Sequence, residues 1–257
     1  MSADRNFDDL FERFHRNIKG SDKGRLREDL IREDLETFIP DLDRPGLKIL
    51  DAGCGLGDMS IWLAKKGHDL TAADISGKMV DFTRERAAQD GLSDRVATRH
   101  LPLQDMLTGD EQYDLICIHA VMEWLAEPYA MLDKILPCLK PGGTLSLTVY
   151  NLHRTIFNGL IKGDFYKILE QNFAGQSAKS MTPPNPIEPE RVNARLTELG
   201  FKVELQAGLR CFYDFITPEV RDQRTYEQIL LLERRYRKIS PYRDIARYVH
   251  FLAKAPV

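Results

Sequence analysis

The residues best suited to chemistry in this sequence sit in one glycine-rich segment and at the ends of the apolar runs that follow it. The segment Asp51-Ala-Gly-Cys-Gly-Leu-Gly57 follows directly on the apolar stretch Leu47–Leu50. Gly53, Gly55 and Gly57 remove side chains where a backbone must turn tightly and press close to a ligand, a purely structural turn being the alternative. A dinucleotide-binding fingerprint would read Gly-x-Gly-x-x-Gly, but the position three after Gly55 is Asp58, so the third glycine comes one residue early. Asp51, at the start of the loop, would repel a pyrophosphate. It suits a ligand that carries an ammonium and a sulfonium. Asp74 closes the next apolar run, where a carboxylate can accept both hydroxyls of a ribose laid across a sheet. Its alternative is a helix N-cap, a role for which Ser76 is better suited. Gln104-Asp105 could hydrogen-bond an adenine edge or belong to a surface loop. His119 ends a further apolar run, at the carboxyl edge where open α/β sheets bind ligands, or it is a satisfied structural histidine.

Positioning these residues takes a regular alternation of strands and helices. LKILDAG (47–53) reads as a buried strand, SIWLAKKG (60–67) as a helix with a glycine stop, HDLTAADIS (68–76) as the next strand and KMVDFTRERAAQDG (78–91) as a helix closed by Gly91. VATRHLP and YDLICIHA (113–120) follow as strands. A helix is expected from about Glu127 to Leu139, then a KPGG turn at 140–143 and a fifth strand, TLSLTVYN (144–151). This order implies a parallel sheet wrapped by right-handed crossovers. Beyond it the texture changes. LHRTIFNGLIKGDFYKILEQNF is helical with two glycine interruptions, and GQSAKSMTPPNPIEPE is a proline-rich loop. FKVELQAG (201–208) is a strand, Pro218–Arg237 a long basic helix and YVHFLAKA (248–255) a last strand. The whole reads as a single domain, residues 1–257: an N-terminal helical arm (1–46), a ligand-binding core (47–151), insertions at 152–200 and 209–247, and last strands at 201–208 and 248–255.

Composition excludes several classes. With 43% hydrophobic and 29% charged residues the chain is globular rather than disordered. Cys54, Cys117, Cys138 and Cys211 form no Cys-x-x-Cys pair, so neither a disulfide framework nor a zinc site is indicated. The histidines at 15, 68, 100, 119, 153 and 250 show no metal-ligand spacing either. No apolar run approaches the roughly 18–20 residues that cross a bilayer, and the N-terminus has no secretory apolar core, so a cytoplasmic protein without a membrane partner is expected. Net charge is −3, but residues 221–257 carry nine Lys/Arg against four Asp/Glu, and 13–27 hold Arg13, Arg16, Lys19, Lys23, Arg25 and Arg27 against Asp22 alone. These basic segments are solvated helix faces or a nucleic-acid footprint.

The glycine loop, the acid after the second strand, the polar pair after the third, YDLI and KPGG together resemble the class I S-adenosylmethionine-dependent methyltransferases, over residues 47–151. That resemblance implies a Rossmann-like α/β fold: a seven-stranded, mostly parallel sheet with an antiparallel last strand, helices on both faces, an N-terminal helical arm and inserted helices after strand five. DRNFDDLFERFHRNIKGSDKGRLREDL (4–30), HAVMEWLAEP (119–128), VYNLHRTIFNGLIKGDF (149–165) and GLRCFYDF (208–215) further resemble the tRNA 5-carboxymethoxyuridine methyltransferase family. Nearly the whole chain is covered, from Asp4 to Ala255. The resemblance implies transfer of a methyl group from S-adenosylmethionine, leaving S-adenosylhomocysteine, to the carboxylate of the wobble nucleoside, with the tRNA anticodon stem-loop as partner and no DNA. The cofactor contacts it implies are Arg27, Gly53-Cys54, Asp74, Leu103-Gln104 and His119, to which the loop chemistry adds Asp51 and Gly55. Cys54 stands where some relatives have glycine, and 174–186 is the least family-like stretch.

A carboxylate acceptor has a reference pKa near ~4, so it is already a nucleophile at neutral pH and no catalytic base is required. The protein has to supply proximity and line, worth roughly 7–11 kcal/mol of barrier. Because the acceptor charge disappears in the product, a moderate grip by an Arg or by neutral donors is expected rather than a cluster of cations. Candidates for holding the acceptor nucleotide are Arg27, Tyr150, Asn151, Arg154 and Arg210, with strand-end packing as the alternative for Tyr150, a solvated turn for Arg210 and a helix ion pair for Arg154. Arg16 and Lys19, and the helix bearing Arg221, Arg224, Arg234, Arg235, Arg237 and Lys238, are candidates for backbone phosphates. Two other readings stand beside this one. One is a methyltransferase for a small quinone or carboxylic acid. The other is a cofactor-retaining RNA-binding protein without turnover, against which the intact Asp51, Gly53, Gly55, Gly57 and Asp74 argue.

Overall fold

The computed structural model describes residues 4–9, 11–12, 21–173 and 181–257. Seven strands, Lys48–Ala52 (β1), Asp69–Asp74 (β2), Val96–His100 (β3), Tyr113–His119 (β4), Leu139–Tyr150 (β5), Lys202–Leu209 (β6) and Tyr248–Lys254 (β7), form one sheet in the order β3-β2-β1-β4-β5-β7-β6. β1 to β5 pair in parallel, and β7 runs antiparallel to both β5 and β6. The strand order reverses at β1, which lies between β2 and β4. The chains leaving β1 and β4 therefore diverge and open a crevice at the carboxyl edge of the sheet.

Side-chain alternation explains why the central strands are buried on both faces, while the edge strand β3 is largely exposed. Ile49, Leu115, Cys117 and Leu252 point into one core, shared with helices Asp22–Phe38 (α1), Asp58–Lys65 (α2) and Tyr226–Tyr236. Leu50, Ile116, Ile118, Phe251 and Ala253 point into the other, shared with Leu103 and Met106 and with Val192 and Leu196. Period-two burial of this kind fixes register, because a one-residue slip would exchange the two cores. Helix starts are set by side-chain caps. Ser21 caps α1, Ser76 caps Gly77–Gln89 (α3), and Asn151 caps Leu152–Lys162, which here follow the short Leu103–Met106 (α4) as α5. Ser76, not Asp74, is the cap. Among the described residues no helix is long and apolar enough to cross a membrane.

Three local expectations are corrected. Residues 127–139 form no continuous helix but two short 3-10 turns, Leu132–Lys134 and Leu136–Cys138. Pro137 lies inside the segment, where it lacks a donor and its ring collides with the preceding turn. Residues 140–143 are not a free turn: β5 begins at Leu139, with an irregular register between the pairs made by Tyr113 and Leu115. The basic helix is broken. After the short Phe165–Leu169 (α6) and Pro189–Glu198 (α7), the chain forms Pro218–Arg221 (α8) and restarts at Tyr226–Tyr236 (α9). Thr225 and Gln228 close a capping box at that restart.

α1 is joined to the sheet by a buried ion pair. Asp34 is 2% exposed and Arg237, just beyond α9, is 3% exposed. Arg237 Nη1 donates to Asp34 Oδ1 at 2.7 Å, and His250 Nδ1 on β7 lies 2.8 Å from Oδ2. Burial opposes ionisation of Asp34, but the hydrogen bonds from His250 and Arg237 outweigh it and hold the carboxyl at about 2. A carboxylate whose folded pKa is depressed contributes stability above its unfolded value and loses it as the pH falls through the folded one. Stability should therefore fall between about pH 4 and about pH 2, as followed by chemical denaturation. Asp34→Asn, which leaves Arg237 buried without a counter-charge, is expected to cost about 3–5 kcal/mol, and a paired Asp34→Leu/Arg237→Leu replacement clearly less.

Candidate active site

The loop after β1 is built by backbone bonds to the neighbouring strand. The N–H groups of Gly53 and Cys54 both donate to Ala73 O, at 2.8 and 2.9 Å, and Gly55 N–H donates to Asp74 Oδ2 at 2.9 Å. Gly53 has φ +79°, and a Cβ there would lie 2.3 Å from Val121 Cγ2. At Gly57, φ +73°, it would lie 2.6 Å from Thr83 Cγ2. Both glycines are thus demanded twice, by backbone conformation and by the close approach of the loop after β4 and of α3. Cys54 is buried and its thiol is pushed well up, first by burial and then by the charge of Asp51, so it is a packing residue and not a nucleophile.

Two carboxyls face this loop. Asp51 is 3% exposed, accepts a hydrogen bond from Ser60 Oγ at 2.5 Å, and is raised to about 6, chiefly by burial and further by Asp74. Asp74 accepts from Ser76 N–H at 2.8 Å besides Gly55 N–H, and burial raises it too. The cleft therefore holds two acids that resist ionising together until a cation arrives.

Arg27, Leu103 and His119 line the same cleft with Asp51, Gly53, Cys54, Gly55 and Asp74. His119 is held neutral, its pKa well below the ordinary value, mainly by burial. Its Nε2 lies 2.8 Å from Ser146 Oγ, which lies 2.9 Å from Nε2 of His250. Asp34 can only accept, so Nδ1 of His250 carries the proton and its neutral Nε2 accepts from Ser146. Ser146 in turn accepts from Nε2–H of His119, whose Nδ1 is left as an acceptor. Ala120, the next residue, takes φ +59°, an uncommon conformation for a side chain at a strand end.

Not every sequence candidate reaches the cleft. Gln104 is outside its lining: Nε2 donates to Asp4 Oδ2 at 2.6 Å, which ties down the N-terminal segment. Asn151 is fully buried, donates to the carbonyls of Asp244 and Ala246 at 2.9 Å each and accepts from His153 N–H, so its amide is spent on structure. Arg237 is the buried partner of Asp34, which removes it from the expected phosphate-binding face, and the half-exposed Arg234 pairs with Glu33. Arg13, Arg16 and Lys19 lie outside the described residues.

Tyr150, at the end of β5, lines the cleft with Tyr248 and Arg247, the two tyrosine rings meeting edge-on at 5.5 Å. Behind them Arg154 and Arg210 are both buried. Arg210 takes φ +62°, and the turn that follows is held by Glu233, whose carboxylate accepts the N–H groups of Cys211, Phe212 and Tyr213 at 2.8–3.2 Å. Arg154 lies 3.8 Å over the Phe215 ring, with Nε and Nη1 unpartnered. Asp214 pairs with Arg210 and lies 3.8 Å from Arg247, so two guanidiniums share one acid, with Arg154 close enough to feel its charge.

Several lining residues escaped sequence reasoning. Residues 4–9 cross the cleft: Asp4 accepts from Ala126 N–H at 2.8 Å, Asn6 Nδ2 donates to Ile75 O at 3.1 Å, and Phe7 packs edge-on against Trp124 at 4.7 Å. Glu123, in the turn Met122–Trp124, is buried in the lining as well. Its signal was present as one acid inside the apolar AVMEWLA.

A methyltransferase-domain family model matches residues 49–143. The chain is 35% identical over 98% of its length, and 97% of the relative's, to the tRNA 5-carboxymethoxyuridine methyltransferase of Escherichia coli K12. It is 32% identical to the ubiquinone biosynthesis O-methyltransferase of Cereibacter sphaeroides, over 53% of this chain and 57% of that one. The solved structure of magnesium protoporphyrin IX methyltransferase from Synechocystis PCC 6803, with bound SAH, superposes with a TM-score of 0.65 at 17% identity, covering 97% and 96% of the two chains.

The raised Asp51 makes ligand binding pH-dependent. With S-adenosylhomocysteine, the ligand implied by the resemblance, as probe, the ammonium favours ionised Asp51. Binding should release a proton below about pH 6. Affinity measured by calorimetry is expected to rise with pH up to about 6 and level off above it, and Asp51→Asn to be weaker by about tenfold and nearly flat.

Proposed function

The chain belongs to the tRNA 5-carboxymethoxyuridine methyltransferase family, and from that premise we propose that it esterifies the carboxylate of 5-carboxymethoxyuridine at the tRNA wobble position with a methyl group from S-adenosylmethionine, giving 5-methoxycarbonylmethoxyuridine. The observation that carries this reading is the reach of the relationship, 98% of this chain and 97% of the relative, well outside the core shared with other methyltransferases.

The cleft fits the cofactor. Asp74, with two backbone N–H groups already bound, retains lone pairs for ribose hydroxyls. Asp51 answers an ammonium, and Arg27 a carboxylate. Leu103 supplies an apolar wall, and Nδ1 of His119 accepts. When bound, S-adenosylmethionine supplies an electrophilic methyl group on a positively charged sulfur. Ester formation makes one O–C bond, breaks one S–C bond and moves no proton, so the reaction asks no base of the cleft. His119, neutral and committed to Ser146, is not asked to act as one.

Arg154, Arg210 and Arg247 exceed their one acid, Asp214, by two charges, and an anion completes them. The acceptor carboxylate loses its charge on methylation, and three guanidiniums would hold it in its reactant form. A backbone phosphate keeps its charge throughout. The cluster is therefore assigned to a phosphate of the acceptor nucleotide, with Tyr150 and Tyr248 as stacking faces for its base. Arg25, stacked at 3.9 Å on Tyr226, and Lys23 begin the footprint of the anticodon stem. A tRNA substrate puts the enzyme in the cytoplasm.

The direct test uses methyl-labelled S-adenosylmethionine and tRNA from cells lacking this protein. Label released by mild alkali and traced by mass to a carboxymethoxyuridine ester is expected. Alkali-stable label would move the chemistry to a base or ribose atom, and none would redirect it to small molecules. Arg247→Ala is expected to raise KM for tRNA about tenfold or more, to leave S-adenosylhomocysteine affinity unchanged, and to reduce the salt slope of binding by about one.

A further inference from the structure

We propose that Glu123 orients the acceptor carboxylate, as a neutral carboxylic acid that donates one hydrogen bond to it from the wall of the cleft. The inference rests on the carboxyl-methylation reading above and names the residue that reading leaves open.

Among the described residues the buried acids are Asp34, Asp51, Glu123 and Glu233. Asp34 has Arg237 and His250, Asp51 has Ser60, and Glu233 has three backbone N–H groups. Glu123 is 1% exposed, and neither of its carboxyl oxygens has a hydrogen-bond partner. It lines the cleft between the loop wall at Gly53 and Val121 and the acceptor side at Tyr150. Its turn is fixed, because Asn185 N–H donates to Glu123 O at 3.2 Å and Asn185 Nδ2 to Leu125 O at 2.8 Å. A rigid, buried and unsatisfied carboxyl in a cleft wall is completed by a ligand group.

Protonation decides which group. Burial raises the Glu123 carboxyl to about 7, against weaker pulls from the backbone N–H groups of Glu123 and Tyr150 and from the charge of Arg27. The other charged or titratable groups in the lining are Glu28 on α1, Asp51 on β1, Cys54 in the loop after it, Asp58 at the start of α2, Asp74 at the end of β2, His119 on β4, Tyr150 on β5, and Arg247 and Tyr248 at the start of β7. From the N-terminal segment come Asp4, committed to Gln104 and Ala126, and Arg5, paired with Asp9. An arriving carboxylate brings a like charge and favours the protonated form further. The acid then donates to one acceptor oxygen and leaves the other to attack. It keeps its proton throughout, and unlike a guanidinium it does not hold the reactant charge against transfer.

The test measures S-adenosylhomocysteine release from the full-length enzyme with tRNA bearing 5-carboxymethoxyuridine, from about pH 6 to about pH 9. Wild-type kcat/KM is expected to fall about tenfold per pH unit above an apparent pKa at or above about 7. Glu123→Gln, whose amide donates at every pH, should stay within about fivefold of wild type at about pH 6 and lose the alkaline fall. Glu123→Ala should lose about 10–100-fold, mainly in kcat, with S-adenosylhomocysteine affinity unchanged, which also reports a folded cleft. The inference is overturned if the Gln variant is as impaired as the Ala variant, or if the wild-type profile is flat. It is equally overturned if either variant loses cofactor affinity, for Glu123 would then serve the cofactor as an anion. Wild-type enzyme that forms no alkali-labile ester sinks the carboxyl-methylation reading itself, and the role of Glu123 with it.

Discussion

Asp34 is an acid in a place where an acid is expensive, and much of the molecule is arranged around satisfying it. Its carboxylate takes Arg237 from the end of α9 and His250 from β7, and Arg237 also donates from Nε to Gly208 O on β6 at 3.0 Å. Through His250 the chain of hydrogen bonds continues to Ser146 on β5 and His119 on β4. One polar thread therefore crosses β6, β7, β5 and β4 and ends in the cleft wall. A buried pair offsets its desolvation only if every donor is matched, and here each is. The functional consequence lies on α1, where Arg27 precedes Asp34 by roughly two turns and so shares its face. The clamp on Asp34 fixes the helix that carries Arg27 against the sheet. It also sets the tautomer of His119, because the proton order runs from Asp34 outward.

The cleft divides its charge. Asp51 and Asp74 make the loop side acidic, while Arg247 lines the opposite side with the buried Arg154 and Arg210 behind it. The two sides are held by different means. The acids are fixed by backbone N–H groups and Ser60, so they keep free lone pairs. The arginines are fixed by packing on Phe215 and by a shared Asp214, so they keep free N–H groups. A ligand with a cationic and an anionic partner laid end to end matches this division. It also explains why no single side chain has to carry the chemistry: both reacting groups arrive charged, and alignment is what remains.

What was legible in the sequence was what local pattern determines. β1 to β4, the glycine loop, Asp74 and the Ser76 cap depend on residues near each other in the chain, and apolar runs bounded by Gly, Asp or Ser announce them. The helix expected at 127–139 failed for a reason also written locally, because Pro137 outweighs the apolar spacing around it. The other misses are of a different kind. Arg237 looked like one more cation on a basic helix, and its partner lies 203 positions away. Gln104 suited an adenine edge; its Nε2 is tied to Asp4, 100 positions back, a contact no local pattern announces, while Oε1 is left without a partner. Composition gives the number of charges and not their pairing, so a basic face cannot be told from a buried ion pair before the fold brings distant segments together.

Residues 4–9 show the same limit from the side of function. Read locally they are a polar stretch with two aromatics nearby, yet Asp4, Asn6 and Asp8 bond to segments at the carboxyl edge of the sheet. Asn6 reaches Ile75 after β2, Asp4 reaches Gln104 after β3 and Ala126 after β4, and Asp8 accepts from Ser76 Oγ. These are the loops that carry or flank Asp74, Leu103 and Glu123. Such contacts are polar and partly exposed, each worth little alone, so the segment is held by their sum together with the edge-on packing of Phe7 on Trp124. The roof of the cleft is thus built from the far end of the chain and depends on the geometry of its floor, which is why no pattern within residues 4–9 announces it.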